Sequence, residues 1–221
     1  MQSLLLLLGR VAQATIHLAS PPLCPSCEEP SRDHQSFCSQ CAAALEPDRR
    51  PSFQICGAPT VAAAHYEPTI ARAIKRFKYQ DRPDLADPLA ALLTAHLVAF
   101  RNRCDLVLAP VPLHPRRLAA RGFNQASLIA RSVSKSLGIR FAPLLLRRTR
   151  DTEQQASQDP VQRWTNVAGA FAVRSPRRAH KLSAILVDDV ITTGATATEC
   201  AKALEAADIR LIAVAAVARG G

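Results

Sequence analysis

Asp188 and Asp189 stand side by side after a short apolar run, Ala184 to Val187, and ahead of the loop Thr192-Thr193-Gly194-Ala195-Thr196. The run suits a strand covered on both faces, as in a parallel sheet. Ala197 to Ala207 has the alanine, leucine, glutamate and lysine content of a helix. A loop that feeds a helix start offers unpaired backbone N–H groups and the positive end of the helix dipole, which together hold a phosphate. Gly194 lets the backbone approach such a ligand, and the threonine hydroxyls add donors. Carboxylates are poorly suited to a phosphate but accept well from sugar hydroxyls, as the acid of a dinucleotide-binding fold does. The pattern therefore predicts a ribose-phosphate site at the C-terminal edge of a parallel sheet. The competing reading is an ordinary strand-turn-helix with a capping threonine, in which paired acids without a ligand or cation would be awkward.

A second constellation lies near the start. Cys24-Pro25-Ser26-Cys27 and Cys38-Ser39-Gln40-Cys41 are two Cys-x-x-Cys knuckles separated by ten residues. Four thiolates in this spacing are the ligand set of a tetrahedral structural zinc, with Cys24, Cys27, Cys38 and Cys41 as ligands. Two redox-active pairs are the alternative, but such pairs belong at a helix start inside an α/β domain rather than in a Pro-, Ser- and charge-rich leader. His34 lies in the gap as a possible replacement ligand or a solvent-exposed side chain. Cys56, Cys104 and Cys200 read most simply as small buried hydrophobes.

Two further stretches concern anions. Asp105 to Pro112 reads as a buried strand running into a proline-punctuated loop, and the next helix starts near Asn124. A stiff loop bearing Arg116 and Arg117, with Arg121 behind them, suits a diphosphate, because guanidinium forks pair with phosphate oxygens in a bidentate way. The same arginines would also serve as an ordinary charged surface. Residues 147–168 are polar and glutamine-rich with few apolar anchors, and include Arg148, Gln154 and Arg163. A loop this long in a compact domain reads as a lid over a site or as a plain excursion.

The elements that must position these groups follow from periodicity. Val61 to Tyr66 reads as a strand. Pro68 to Tyr79 reads as a helix with Ile70, Ile74 and Phe77 inward and Arg72, Lys75, Arg76 and Lys78 outward. Leu85 to Phe100 is a second helix, and Leu128, Ile129, Val133 and Leu137 recur at helical spacing in a third. Strands at 170–173, 184–187 and 211–217 complete an alternating order, so the fold class is α/β with a mostly parallel sheet flanked by helices. The expected organisation is a leader or helix over 1–22, a zinc module over 23–58 and an α/β domain over 60–221.

Composition agrees. The 221 residues are 48% hydrophobic, enough for a full core. The formal charge is +10, from 28 Lys+Arg against 18 Asp+Glu, which favours polyanionic ligands such as nucleic acid, an acidic membrane surface or pyrophosphate. Neither a Walker A loop nor GxGxxG is present. Leu4 to Leu8 is too short for a signal peptide and is followed by Arg10, and no stretch approaches the roughly 18 apolar residues of a spanning helix. A cytoplasmic protein without a membrane span is the expectation.

Val187-Asp188-Asp189-Val190-Ile191-Thr192-Thr193-Gly194-Ala195-Thr196 resembles the phosphoribosyl-pyrophosphate (PRPP) motif of type I phosphoribosyltransferases. The resemblance implies that fold, with Asp188 and Asp189 on the ribose 2′- and 3′-hydroxyls and Thr192 to Thr196 around the 5′-phosphate. Together with the cysteine knuckles, Val111-Pro112-Leu113-His114-Pro115-Arg116-Arg117 and Arg121-Gly122-Phe123-Asn124-Gln125, it resembles the ComF family over nearly all of the chain from Leu23 on. That family is associated with natural competence and DNA uptake. The resemblance implies a structural zinc, Mg²⁺ arriving with PRPP, arginines on the pyrophosphate and a flap, and leaves transfer of the phosphoribosyl group open. It departs from the family at Phe53, which stands at the first cysteine position of a second Cys-x-x-Cys that usually precedes Gly57. The alternative is a non-catalytic protein that binds single-stranded DNA through the same fold, a reading supported by the basic charge and weakened by an aromatic content of 5%.

Overall fold

The computed structural model describes residues 23–31, 36–101, 103–150, 167–174 and 182–220. The chain enters through a short helix, α1 (Ser39–Ala43), and a hairpin of β1 (Gln54–Ile55) and β2 (Ala58–His65). Helices α2 (Pro68–Tyr79) and α3 (Ala86–Leu97) lead to β3 (Leu106–Pro110). Then come α4 (Pro115–Arg121), α5 (Gln125–Leu137) and β4 (Arg140–Phe141). An antiparallel ribbon of β5 (Leu146–Arg148) and β6 (Phe171–Val173) precedes β7 (Ser183–Ile191), α6 (Ala195–Glu205) and β8 (Arg210–Arg219).

Six strands form one sheet in the order β1-β2-β8-β7-β3-β4, and every neighbouring pair is parallel except β1 with β2. The absence of polar alternation in β3, β7 and β8 has a direct cause, since both faces of the sheet are covered. Ile185, Val187, Ala213, Ala215 and Val217 pack with apolar residues of α2, α3 and α5 on one face. Ala184, Leu186, Val214 and Ala216 pack with α6 and the β5–β6 ribbon on the other.

Local signals set the helix ends. Glu67 caps α2 by accepting from the N–H groups of Thr69 (2.7 Å) and Ile70 (3.0 Å), and Pro68 fills the first helical position. Ile70, Ile74 and Phe77 are buried as the periodicity requires. Asn124 caps α5, its Oδ1 accepting from Ser127 N–H at 3.3 Å.

Four expectations need correction. Residues 115–121 are helical rather than a stiff loop: Pro115 opens α4, His114 Nδ1 accepts from Arg116 N–H, and Gly122 closes it in the left-handed region. The helix expected over Leu85 to Phe100 is α-helical only over Ala86–Leu97, with 3₁₀ turns at Pro83–Leu85 and Val98–Phe100. Cys56 and Cys104 are exposed in turns, whereas Cys200 is buried. Arg76 and Lys78 do not face solvent; both turn toward charged or carbonyl partners described below.

Candidate functional site

The sheet order places a crevice at a defined point. β3 continues to β4 on one side, through α4 and α5, while β7 continues to β8 on the other, through α6. The strand order therefore reverses between β3 and β7, and ligands of open α/β sheets bind outside the carboxyl ends of strands at such a point. Pro110 is the last residue of β3 paired with β7, opposite Val187, and Asp188 and Asp189 follow immediately.

The two acids sit within β7, not after it, so the pleat sends them to opposite faces. Asp189 is buried and reaches the α2 face, where its Oδ1 lies 2.9 Å from Lys78 Nζ. Burial pulls the Lys78 ammonium down, but the charges of Asp189 and Asp188 outweigh it and its pKa rises above the ordinary value. Asp188 is half-buried, accepts from Asp189 N–H at 2.8 Å, and feels the Arg148 charge from the ribbon face. Burial, with Asp189 beside it, lifts the Asp188 carboxyl from 3.8 to about 7. The site thus holds one carboxylate balanced by a lysine and one that titrates near neutrality.

The Thr192–Thr196 loop turns from β7 into α6. Gly194 occupies the N-cap in the left-handed region, at φ 75°, and no side chain caps the helix there. Thr193 Oγ1 accepts from Ala195 N–H at 3.4 Å. Ile55 and Phe53, from the β1 hairpin, roof the glycine: a Cβ added there would stand 3.2 Å from Ile55 Cδ1. The loop is thereby packed beneath the hairpin at the start of α6.

Across the crevice, α4 carries Arg116, Arg117 and Arg121 and buries no side chain. Arg121 lies over the Tyr79 ring at 5.0 Å, and its guanidinium donates to Tyr79 Oη (3.4 Å) and Gln125 Oε1 (3.3 Å). Gln125 is buried, and its Nε2 donor has no protein partner. A buried amide left in this way marks a place that an acceptor atom of a ligand would satisfy. Arg148 stacks 5.3 Å from Phe171, whereas Gln154 and Arg163 lie outside the described residues. Lys78, Tyr79 and Gln125 carry parts of this site that sequence reasoning left without a role. An apolar helix face with cations on the other side gave no signal that two of the four would turn inward.

The cysteine centre is a separate cluster. The Sγ atoms of Cys24, Cys27, Cys38 and Cys41 all lie within 4.8 Å of one another. Cys41 N–H donates to Cys38 Sγ at 3.4 Å, and Cys27 and Cys38 sulfurs are 3.5 Å apart. Burial tends to raise Cys24, but N–H groups of Cys27, Cys38 and Ser26 outweigh it and bring the thiol down to about 7. Burial and the other three sulfurs push Cys41 up to about 12, a crowding that a divalent cation relieves. Four convergent soft donors fit a structural Zn²⁺. Among the described residues this is the one such ligand group, and Cys56 gains no partners for a second.

Fold and site define an α/β protein with a mostly parallel sheet flanked by helices, paired acids beside its strand-order reversal and an N-terminal cysteine zinc module. Residues 15–73 match the double zinc ribbon domain family. The chain is 30% identical over 191 residues to the DNA utilization protein YhgH of Escherichia coli O6:H1, covering 82% of this chain and 83% of that one. It is 28% identical over 221 residues to competence protein F of Haemophilus influenzae, covering 94% of each, and 25% identical over 182 residues to competence protein ComFC of Bacillus subtilis. The chain belongs to the ComF family. Among the described residues no helix is long and apolar enough to cross a membrane.

Proposed function

We propose that the chain binds PRPP, or a closely related sugar phosphate, in a type I phosphoribosyltransferase-like site and serves DNA uptake. One observation carries this reading: paired acids and an uncapped hydroxyl-rich helix start meet where the strand order reverses. Asp188 and Asp189 take sugar hydroxyls, while Thr192, Thr193, Gly194, Ala195 and Thr196 wrap the 5′-phosphate. Arg116, Arg117 and Arg121 meet the diphosphate. Two aspartates do not make a magnesium cage, so Mg²⁺ belongs to this reading as an ion carried in on the diphosphate. It would neutralise charge on the leaving group.

If the chain transfers the phosphoribosyl group, a nitrogen nucleophile forms a bond to C1 as the C1–O bond breaks and pyrophosphate leaves with the electron pair. Among the described residues no side chain stands as its general base. The role in DNA uptake rests on the likeness to the DNA utilization and competence proteins. The binding step is tested by thermal shift. At a hundredfold excess over Kd, PRPP with Mg²⁺ stabilises the chain by about 2.7 kcal/mol, and Asp189→Asn removes the effect. An unchanged melting temperature in the parent protein would contradict the proposal.

A second reading, binding of single-stranded DNA, is favoured by one feature. Helix α4 buries none of its seven residues, carries three arginines, and stands beside Tyr79, which is 71% exposed. Guanidinium groups next to an open aromatic ring suit a strand of phosphates and unpaired bases.

A further inference from the structure

Helix α2 touches two centres through side chains two positions apart. Toward the cysteine knuckle, Arg76 is 8% exposed; its Nη1 donates to the carbonyls of Pro25 (3.3 Å) and Cys24 (3.5 Å), and it pairs with Glu28. One turn earlier, Arg72 Nε donates to Ser26 Oγ at 3.2 Å. Pro25 and Ser26 are the two residues between the first pair of cysteines. Beneath these contacts Cys24, Phe37 and Cys41 share one apolar cluster with Ile70, Ala73, Ile74 and Phe77 of the helix. Toward the crevice, Lys78 Nζ holds Asp189 Oδ1 at 2.9 Å.

We infer that Arg76 is a positioning residue that fastens α2 to the cysteine knuckle and so sets the reach of Lys78 to Asp189, which makes the knuckle a working part of the crevice. A buried guanidinium needs its acceptors in fixed places, because leaving it unpaired is expensive. A knuckle whose four sulfurs share one cation presents the Cys24 and Pro25 carbonyls in one arrangement. A knuckle without that cation has no common partner for its sulfurs and releases the constraint. Coupling between two centres is reciprocal in binding free energy, so whatever holds α2 at Asp189 also tightens the knuckle's hold on its metal. Only the ligand arm of this inference rests on the proposed function.

The test measures how zinc partitions at equilibrium between the full chain and a chromogenic chelator. Lys78→Met should weaken zinc binding about five-fold or more. Arg76→Gln should weaken it further, and Arg76→Lys should restore part of the parent affinity, since the ammonium still reaches a carbonyl. Lys202→Met is the control: its partner Glu199 lies on α6, across the sheet, and its zinc affinity should equal the parent's. In a second arm, PRPP with Mg²⁺ should tighten zinc binding by the parent and not by Lys78→Met. Equal affinities for Lys78→Met and Lys202→Met would overturn the inference, even where PRPP binds. Weaker zinc binding by Lys78→Met alone, with no uptake of PRPP, would leave the coupling standing and remove the proposed ligand.

Discussion

Lys78 Nζ and Asp189 Oδ1 meet 2.9 Å apart at the carboxyl end of β7, joining the last turn of α2 to the crevice. Neither group suits its surroundings alone, because the lysine is mostly buried and the aspartate nearly wholly so. Removing one partner leaves the other as an uncompensated charge. Lys78→Met should therefore destabilise the chain by about 2–4 kcal/mol in urea unfolding, and adding Asp189→Asn should recover part of that loss. Strictly additive effects of the two substitutions would show that the pair contributes nothing.

The Asp188 carboxyl, raised from 3.8 to about 7, sets a pH window. Its folded-state pKa lies above the unfolded one, so the native chain binds the extra proton. Its contribution to stability is full below about 4 and is lost as pH rises through about 7. Compared with Asp188→Asn, the parent should lose stability across that interval. Sugar hydroxyls need the ionised form, so PRPP uptake near pH 7 should release up to about one proton, visible as a buffer-dependent heat. Heats that are identical in buffers of different ionisation enthalpy would contradict this.

Gly194 is constrained by backbone and by neighbour, with φ at 75° and Ile55 Cδ1 3.2 Å from the place of a Cβ. Gly194→Ala should cost about 1–3 kcal/mol of stability and weaken phosphate binding. Ile55→Ala in the same chain relieves the contact but not the backbone strain, so it should not restore the parent's stability.

The stacked pair of Arg121 and Tyr79 predicts where an oligonucleotide would act on the second reading. Replacing Tyr79 with Ala should lower affinity for a short single strand by about 1–3 kcal/mol. Arg116→Ala should instead flatten the salt dependence of oligonucleotide binding. Unaltered oligonucleotide affinity in both variants would place any nucleic-acid contact elsewhere.

Much of the scaffold was legible in residue order. The helix over Pro68–Tyr79 has the bounds that its periodicity and Pro68 indicate, and α5 starts after Asn124 as its cap requires. The unbroken apolar runs gave strands of a parallel sheet because burial on both faces removes alternation. The four cysteines converge as their spacing indicates. What escaped was long-range. That Arg76 would be buried depends on where the knuckle folds back, and that Lys78 would find Asp189 depends on the strand order. The exposed ring of Tyr79 was hidden for the same reason, since a lone aromatic at a helix end carries no signal of its surroundings. Residues 115–121 read as a loop because prolines punctuate the segment after the strand, although Pro115 is a helix start and Gly122 a helix stop.

Titration calorimetry of PRPP with Mg²⁺ into the zinc-loaded chain tests the central claim most directly. The account predicts saturable binding at one site per chain, weakened by about tenfold or more in Asp189→Asn, the loss of a charged hydrogen-bond acceptor. No measurable uptake by the parent protein, or equal affinity in the variant, would contradict it.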